Sequence, residues 1–100
     1  MSTTPASRRV MLNNPQGLHA RPADLFARRA SKFESKIEVI KSGHRVDGKS
    51  ILDILTLAAE HGTELEIEAT GRDAAAALDA LVRLIESNFA SDDADQEQAG

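Results

Sequence analysis

The sequence predicts one α+β domain, a two-layer open-faced sandwich in the order β-α-β-β-α-β-α. A four-stranded, mostly antiparallel sheet carries three helices on one face. Three observations support this. The hydrophobic period switches between two and about 3.6 residues along the chain. Leu65, Ile67 and Ala69 alternate with Glu64, Glu66 and Glu68, the pattern of a strand with one buried and one wet face. At 100 residues the chain has room for one core and is too short for two ordinary domains.

The elements follow in order. Residues 1–7 are small and polar and are expected to be frayed, which places the folded body at 8–90. Val10 and Leu12 alternate with Arg9 and Asn13 as a first strand. Asn14-Pro15-Gln16-Gly17 fits a type I turn, with Asn first, Pro second and Gly fourth. Ala23, Phe26, Ala27, Ala30 and Phe33 then recur at helical spacing, and Pro22 falls in the first turn, where its missing N–H costs nothing. Lys36–Lys41 is β-branched and apolar, and Ser42-Gly43 turns it into a short strand around His44–Val46. Asp47-Gly48 would suit another hairpin, but no alternation follows it. Instead Ser50-Ile51-Leu52-Asp53 is a capping box opening a short helix, and His61-Gly62 closes that segment. After the glutamate-rich strand, Thr70-Gly71-Arg72 turns the chain and Asp73 is the expected N-cap of the last helix. Its stripe is Ala74, Leu78, Leu81, Val82, Ile85 and Phe89.

Composition excludes several classes of function. There is no cysteine, so disulfides, thiolate zinc sites and cysteine nucleophiles are out. His19, His44 and His61 form no close-spaced pair, so neither a metal nor a cofactor is expected, and His44 and His61 are expected at the surface. Apolar runs are only a few residues long and no secretory pattern opens the chain, so a cytoplasmic protein without membrane contact is expected. Residues 91–100 hold Asp92, Asp93, Asp95 and Glu97 with no base, an acidic and flexible tail by expectation. Setting those four aside leaves 12 acids and 12 Lys plus Arg. Within this neutral body, residues 19–33 carry Arg21, Arg28, Arg29 and Lys32 against Asp24 alone. Such a face favours an anionic partner or substrate. Three aromatic residues and a low total basicity argue against nucleic acid.

His19 is the first candidate for chemistry. It follows a glycine turn and immediately precedes a helix, whose free amides and dipole attract anions. With Arg21 two residues on, an anion would be held beside an imidazole, a competent nucleophile near neutral pH. That combination suits covalent capture of a phosphoryl group. The plainer reading is a histidine that caps the helix or faces solvent.

Gly17-Leu18-His19-Ala20-Arg21-Pro22-Ala23 resembles the active-site motif of the histidine-containing phosphocarrier family, HPr, of the bacterial phosphoenolpyruvate-dependent phosphotransferase system. Lys49-Ser50-Ile51 resembles the family's second signature, a regulatory serine, and the likeness runs from about Val10 to Phe89. The resemblance implies that His19 accepts a phosphoryl group on Nδ1 from phosphorylated enzyme I and passes it to a histidine of an enzyme IIA domain. Arg21 would contact the phosphate with its guanidinium, and the backbone amides of Ala20 and Arg21 would add acceptance. The protein is then a carrier rather than an enzyme, and a monomer is expected. Ser50 would be the target of an HPr kinase/phosphorylase, although a cap hydroxyl is the structural alternative. The docking face would comprise Asp24, Leu25, Arg28, Lys49, Ile51, Leu52 and Leu55.

That docking face also has a basis in the residues. Ile51, Leu52, Ile54, Leu55 and Leu57 are more apolar side chains than one face of a short helix can bury. Leu25, off the main stripe of the first helix, is expected to be exposed beside them. Several positions depart from the family pattern. Asp53 lies three residues after Ser50 and would repel a phosphate there. Gln16 stands where many relatives carry a smaller polar residue, and Ala58 replaces a frequent glycine. The tail makes a role for a chain-terminal carboxylate doubtful. Two other functions stay open: the nitrogen-branch regulatory paralogue, which shares the His-Ala-Arg-Pro-Ala core, and a non-phosphorylated module that senses an anionic metabolite.

Overall fold

The computed structural model describes residues 4–90. The elements are β1 (Ala6–Met11), α1 (Ala20–Ala30), β2 (Lys36–Lys41), β3 (His44–Asp47), α2 (Ile51–Thr56), β4 (Glu64–Thr70) and α3 (Ala74–Glu86). They form one open four-stranded sheet in the order β1-β4-β2-β3, in which every neighbouring pair is antiparallel. This is the expected open-faced sandwich.

Strand alternation sets the two layers. Leu65, Ile67 and Ala69 of β4 and Ile37 and Val39 of β2 are buried beneath the helices. Glu38 and Glu68 sit opposite one another on the other face. Arg45 of β3 donates Nη1 to both, at 2.7 Å each, so a cation bridges two acids that would otherwise repel across the strands. Above the sheet, Phe26 of α1, Ile54 of α2 and Leu81, Leu84 and Ile85 of α3 complete one core. Each such side chain contributes roughly 1.5–3 kcal/mol when removed from water.

Four details differ from the sequence expectation, each for a local reason. Strand β1 begins at Ala6, inside the segment expected to be frayed, because Ala6 and Ser7 pair with Ala69 and Glu68. The acidic tail lies outside the described residues. On the helical side, α1 ends at Ala30, so Phe33 follows it in the turns and only half-buries against the core. Asp73 occupies the N-cap position of α3 but makes no cap bond. Its carboxylate instead accepts the amides of Glu34 and Ser35, at 2.9 Å each, and the Ser35 hydroxyl. The Ser35 hydroxyl foremost, then the Glu34 amide, hold this carboxyl below the usual carboxylate range. Asp73 thereby ties the start of α3 to the loop leaving α1.

The fourth difference is where α2 stops. The helix ends at Thr56, and the residue that reverses the chain is Ala58, at φ 49°, rather than His61-Gly62. Lys41 Nζ donates to the Leu57 carbonyl at 2.9 Å, satisfying one helix-end acceptor. A left-handed L-residue costs roughly 1–2 kcal/mol, and glycine loses part of that gain through unfolded-state freedom worth about 0.4–1 kcal/mol. Ala58→Gly is therefore expected to stabilise the fold by about 0.5–1 kcal/mol. A urea midpoint that falls instead of rising would show the backbone there to be unstrained.

The end of α3 follows a regular pattern. Phe89 N–H donates to Leu84 O and Asn88 N–H to Ile85 O, the paired bonds of a Schellman motif. Asn88 and Phe89 are both left-handed, and Phe89 tucks into the core at 2% exposure. This fixes the position of the last described residues, Phe89 and Ala90.

Candidate functional site

The loop before α1 is built to hold its shape. Gly17 N–H closes the Asn14–Gly17 turn on Asn14 O at 3.2 Å, and Asn14 Nδ2 donates to Gly17 O at 2.8 Å from a buried position. Leu18 then donates its N–H to Ala59 O at 2.8 Å and is itself buried. The turn is thus fastened to the segment between α2 and β4. Gly17 lies at φ 60°, and a Cβ there would come within 2.5 Å of Ala59 O and 2.6 Å of Glu60 Cα. Only glycine meets both the conformation and the contact. Neither the buried Asn14 nor the Gly17–Ala59 contact was singled out by sequence reasoning, although the turn motif marked both residues.

The next residue is His19, exposed, at the N-cap of α1 with φ −73° and ψ −173°. Its side chain makes no cap bond, which removes the reading of His19 as a helix-capping group. The first intrahelical bond runs from Ala23 N–H to His19 O at 2.9 Å. The amides of Ala20 and Arg21 precede that bond, and Pro22 has none to offer. An exposed imidazole therefore stands at the positive end of an 11-residue helix, with exposed Ala20 and Arg21 immediately following. An anion placed there meets helix-end amides, with Arg21 in the first turn of the same helix.

The second group of candidates lines α2 and the outer side of α1. Ser50 is the N-cap of α2, and its Oγ accepts Asp53 N–H at 3.2 Å. The reciprocal half of the capping box is absent: Asp53 Oδ2 accepts the amide of Asp47, at 3.4 Å. Lys49 reaches back, with Nζ donating to Phe33 O at 2.7 Å, so it braces α2 against the end of α1. Asp24 and Arg28 form an i,i+4 pair at 3.2 Å on the exposed side of α1. Of the five apolar residues of α2, Ile54 and Leu57 go inward, Ile51 and Leu55 are half-buried, and Leu52 is 75% exposed. Ala27, Arg28, Lys32, Lys49, Ile51 and Leu52 border a shallow groove of about 490 Å³ between the two helices.

One expected docking residue is not at the surface. Leu25 is 2% exposed and belongs to the core. The reason is the width of the buried arc of α1. The helix packs against α2 as well as α3, so Pro22 and Leu25 are covered along with Phe26 and Ala30. His44 and His61 are exposed, and no cluster of metal-ligating side chains occurs among the described residues.

Comparison with known proteins gives the lineage of this arrangement. A family model described as the PTS HPr component phosphorylation site matches residues 6–87. The chain belongs to the HPr family of phosphocarrier proteins. The HPr of Treponema pallidum is 44% identical over 80 residues, covering 80% of this chain and 91% of its own. The crystal structure of HPr-C-His from Thermoanaerobacter tengcongensis superposes with a TM-score of 0.82 at 44% identity, covering 84% and 94% of the two chains. The Bacillus subtilis catabolite repression protein Crh, a dimer with a swapping domain in its crystal structure, matches at a TM-score of 0.68 and 37% identity, over 79% and 91%. Dimers thus occur among HPr relatives. No described helix is long and apolar enough to cross a membrane.

Proposed function

We propose that this HPr-family chain carries a phosphoryl group on His19, accepting it from phosphorylated enzyme I and donating it to a histidine of an enzyme IIA domain in sugar uptake. The observation that carries the proposal is the exposed, uncapped imidazole at the N-terminus of α1. In the accepting step unprotonated Nδ1 attacks phosphorus, a P–N bond forms, and the bond to the donor breaks. The ring proton stays on Nε2. The Ala20 and Arg21 amides and the Arg21 guanidinium stabilise the three oxygens, and positioning with charge stabilisation suffices for a loose transition state. All these groups come from one chain, so the transfer step needs no residue from a second copy, and nothing in the set calls for a metal. Arg28, Lys49, Ile51 and Leu52 of the groove, with Asp24 and Leu55 on the same two helices, form the docking face for cytoplasmic partners.

Ser50 is proposed as a second phosphorylation site, the substrate of an HPr kinase/phosphorylase. Its hydroxyl borders the docking groove, so a phosphate there would add roughly −1.5 to −2 charges to the face an acidic partner approaches. A phosphate on Ser50 would lie beside the Asp53 amide that its Oγ accepts and has to overcome the Asp53 carboxylate.

Incubation with labelled phosphoenolpyruvate and enzyme I should place an acid-labile label on the chain. The label should pass to an enzyme IIA domain, and Ser50→Ala should leave both steps intact. An HPr kinase with ATP should add an acid-stable label that Ser50→Ala removes. A chain that takes no label from enzyme I is not a carrier.

A further inference from the structure

The groove between α1 and α2 is lined by buried Ala27, half-buried Ile51 and the exposed Leu52, with a cationic rim of Arg28, Lys32 and Lys49. Arg28 is paired with the half-buried Asp24, Lys49 Nζ donates to Phe33 O, and Lys32 has no side-chain partner among the described residues. A rim of this kind draws in acidic chain segments. One such segment is covalently attached. Residues 91–100 contain Asp92, Asp93, Asp95 and Glu97, without a base and without a large apolar side chain.

The topology brings this segment out at a useful place. β1 and β4 are antiparallel neighbours, and the helix following each packs on the same face of the sheet. The two helices therefore run in opposite directions. Asp73 shows this directly, because the start of α3 is hydrogen-bonded to Glu34 and Ser35, just beyond the end of α1. The far end of α3 consequently lies toward the beginning of α1, where His19 stands. The Schellman turn at Asn88 and Phe89 anchors Ala90 at that end.

Distances and spacing fit as well. α1 is about 16 Å long at 1.5 Å per residue. Acids two to seven residues beyond Ala90 reach roughly 7–25 Å from it in an extended chain. Arg21 and Arg28 are seven residues apart, two turns along one exposed ridge, with Lys32 just past the end of the helix. A segment running along that ridge places carboxylates beside successive cations and ends at the groove.

We propose that residues 91–100 are the intramolecular occupant of the cationic groove between α1 and α2, where they compete with acidic partners for Arg28, Lys32 and Lys49. The docking itself depends only on the charges and the geometry. The competition rests on the phosphocarrier reading given above. Tethering supplies an effective concentration on the order of millimolar, enough for weak ion pairs to be populated and still be displaced by a partner.

The test compares the full chain with a full-length variant carrying Asp92→Asn, Asp93→Asn, Asp95→Asn and Glu97→Gln. Backbone amide spectra are recorded at about 0.01 M salt, where the Debye length is near 30 Å, and at about 1 M, where it is near 3 Å. At low salt the amides of Arg28, Lys32, Ser50 and Leu52 should differ between the two proteins, and at high salt they should coincide. Differences confined to residues beyond Asn88 would overturn docking. Groove shifts that grow with protein concentration would overturn the intramolecular form, since the segment would then be visiting a second copy. With enzyme I, the neutralised variant should accept phosphate several-fold faster at low salt, and equal rates would overturn the competition. The spectra decide docking whether or not His19 carries phosphate, so failure of the carrier reading cannot mimic failure of this one.

Discussion

Replacing His19 by Ala abolishes acid-labile phosphorylation while leaving the thermal unfolding midpoint essentially where it was. Both halves of this expected result come from the same geometry. The imidazole is exposed and makes no cap bond, so its removal leaves no cavity and no orphaned donor. Surface substitutions of that kind usually stay within about 0.5 kcal/mol. Chemically, Ala offers no nitrogen to form the P–N bond, so the loss of label is complete rather than graded. His44→Ala and His61→Ala are the matched controls: both rings are exposed, and both variants should label like the parent. Label surviving on the His19→Ala chain would move the site elsewhere and undo the assignment.

Gly17→Ala should damage both stability and transfer. The residue is left-handed, which costs an L-residue roughly 1–2 kcal/mol. The added methyl would also lie 2.5 Å from Ala59 O and 2.6 Å from Glu60 Cα. Those atoms belong to backbone and cannot swing aside, so the Asn14–Gly17 turn must shift. His19 is two residues away, and an ångström of misplacement can cost on the order of 10²-fold in rate. Gly43→Ala separates the two effects, because Gly43 is also left-handed, at φ 81°, but nothing lies within 4 Å of its would-be Cβ. The expected pattern is a moderate loss of urea stability for Gly43→Ala with normal phosphorylation. Gly17→Ala should lose more stability and at least tenfold in phosphorylation rate. If the two variants behave alike, the packing of Gly17 on the Ala59–Glu60 backbone has no part in positioning His19.

Much of this fold is legible in the sequence because period and face coincide. β4 is the clearest case: three glutamates and three apolar residues in strict alternation already describe a strand with one wet side. His19 was legible too, since a glycine turn, a histidine and a helix start lie within a few residues. The misses have a common origin in contacts between distant segments. Leu25 is off the stripe in a helix considered alone, yet a second helix on its flank widens the buried arc. Asp73 has the right residue type for a cap, but the amides of Glu34 and Ser35, 38 residues or more away in sequence, capture its carboxylate. Ala58 stands out as a missing glycine, while its left-handed backbone is visible only once α2 is seen to end at Thr56. The turn motif marks Gly17, but its close contact is with Ala59 and Glu60, in a loop far downstream that no local pattern encodes.

The pairing of β1 with β4 has a consequence for how the polypeptide is made. Met11 finds Glu64 and Ala6 finds Ala69, so the first-synthesised strand waits for the sixth of seven elements before it has a neighbour. At roughly 5–20 residues per second, that delay amounts to about 3–12 seconds on the ribosome. Throughout it Val10 has no paired sheet to pack into, and the amides of β1 are left to water. A sheet whose first strand pairs only with β4 cannot close until translation is nearly complete.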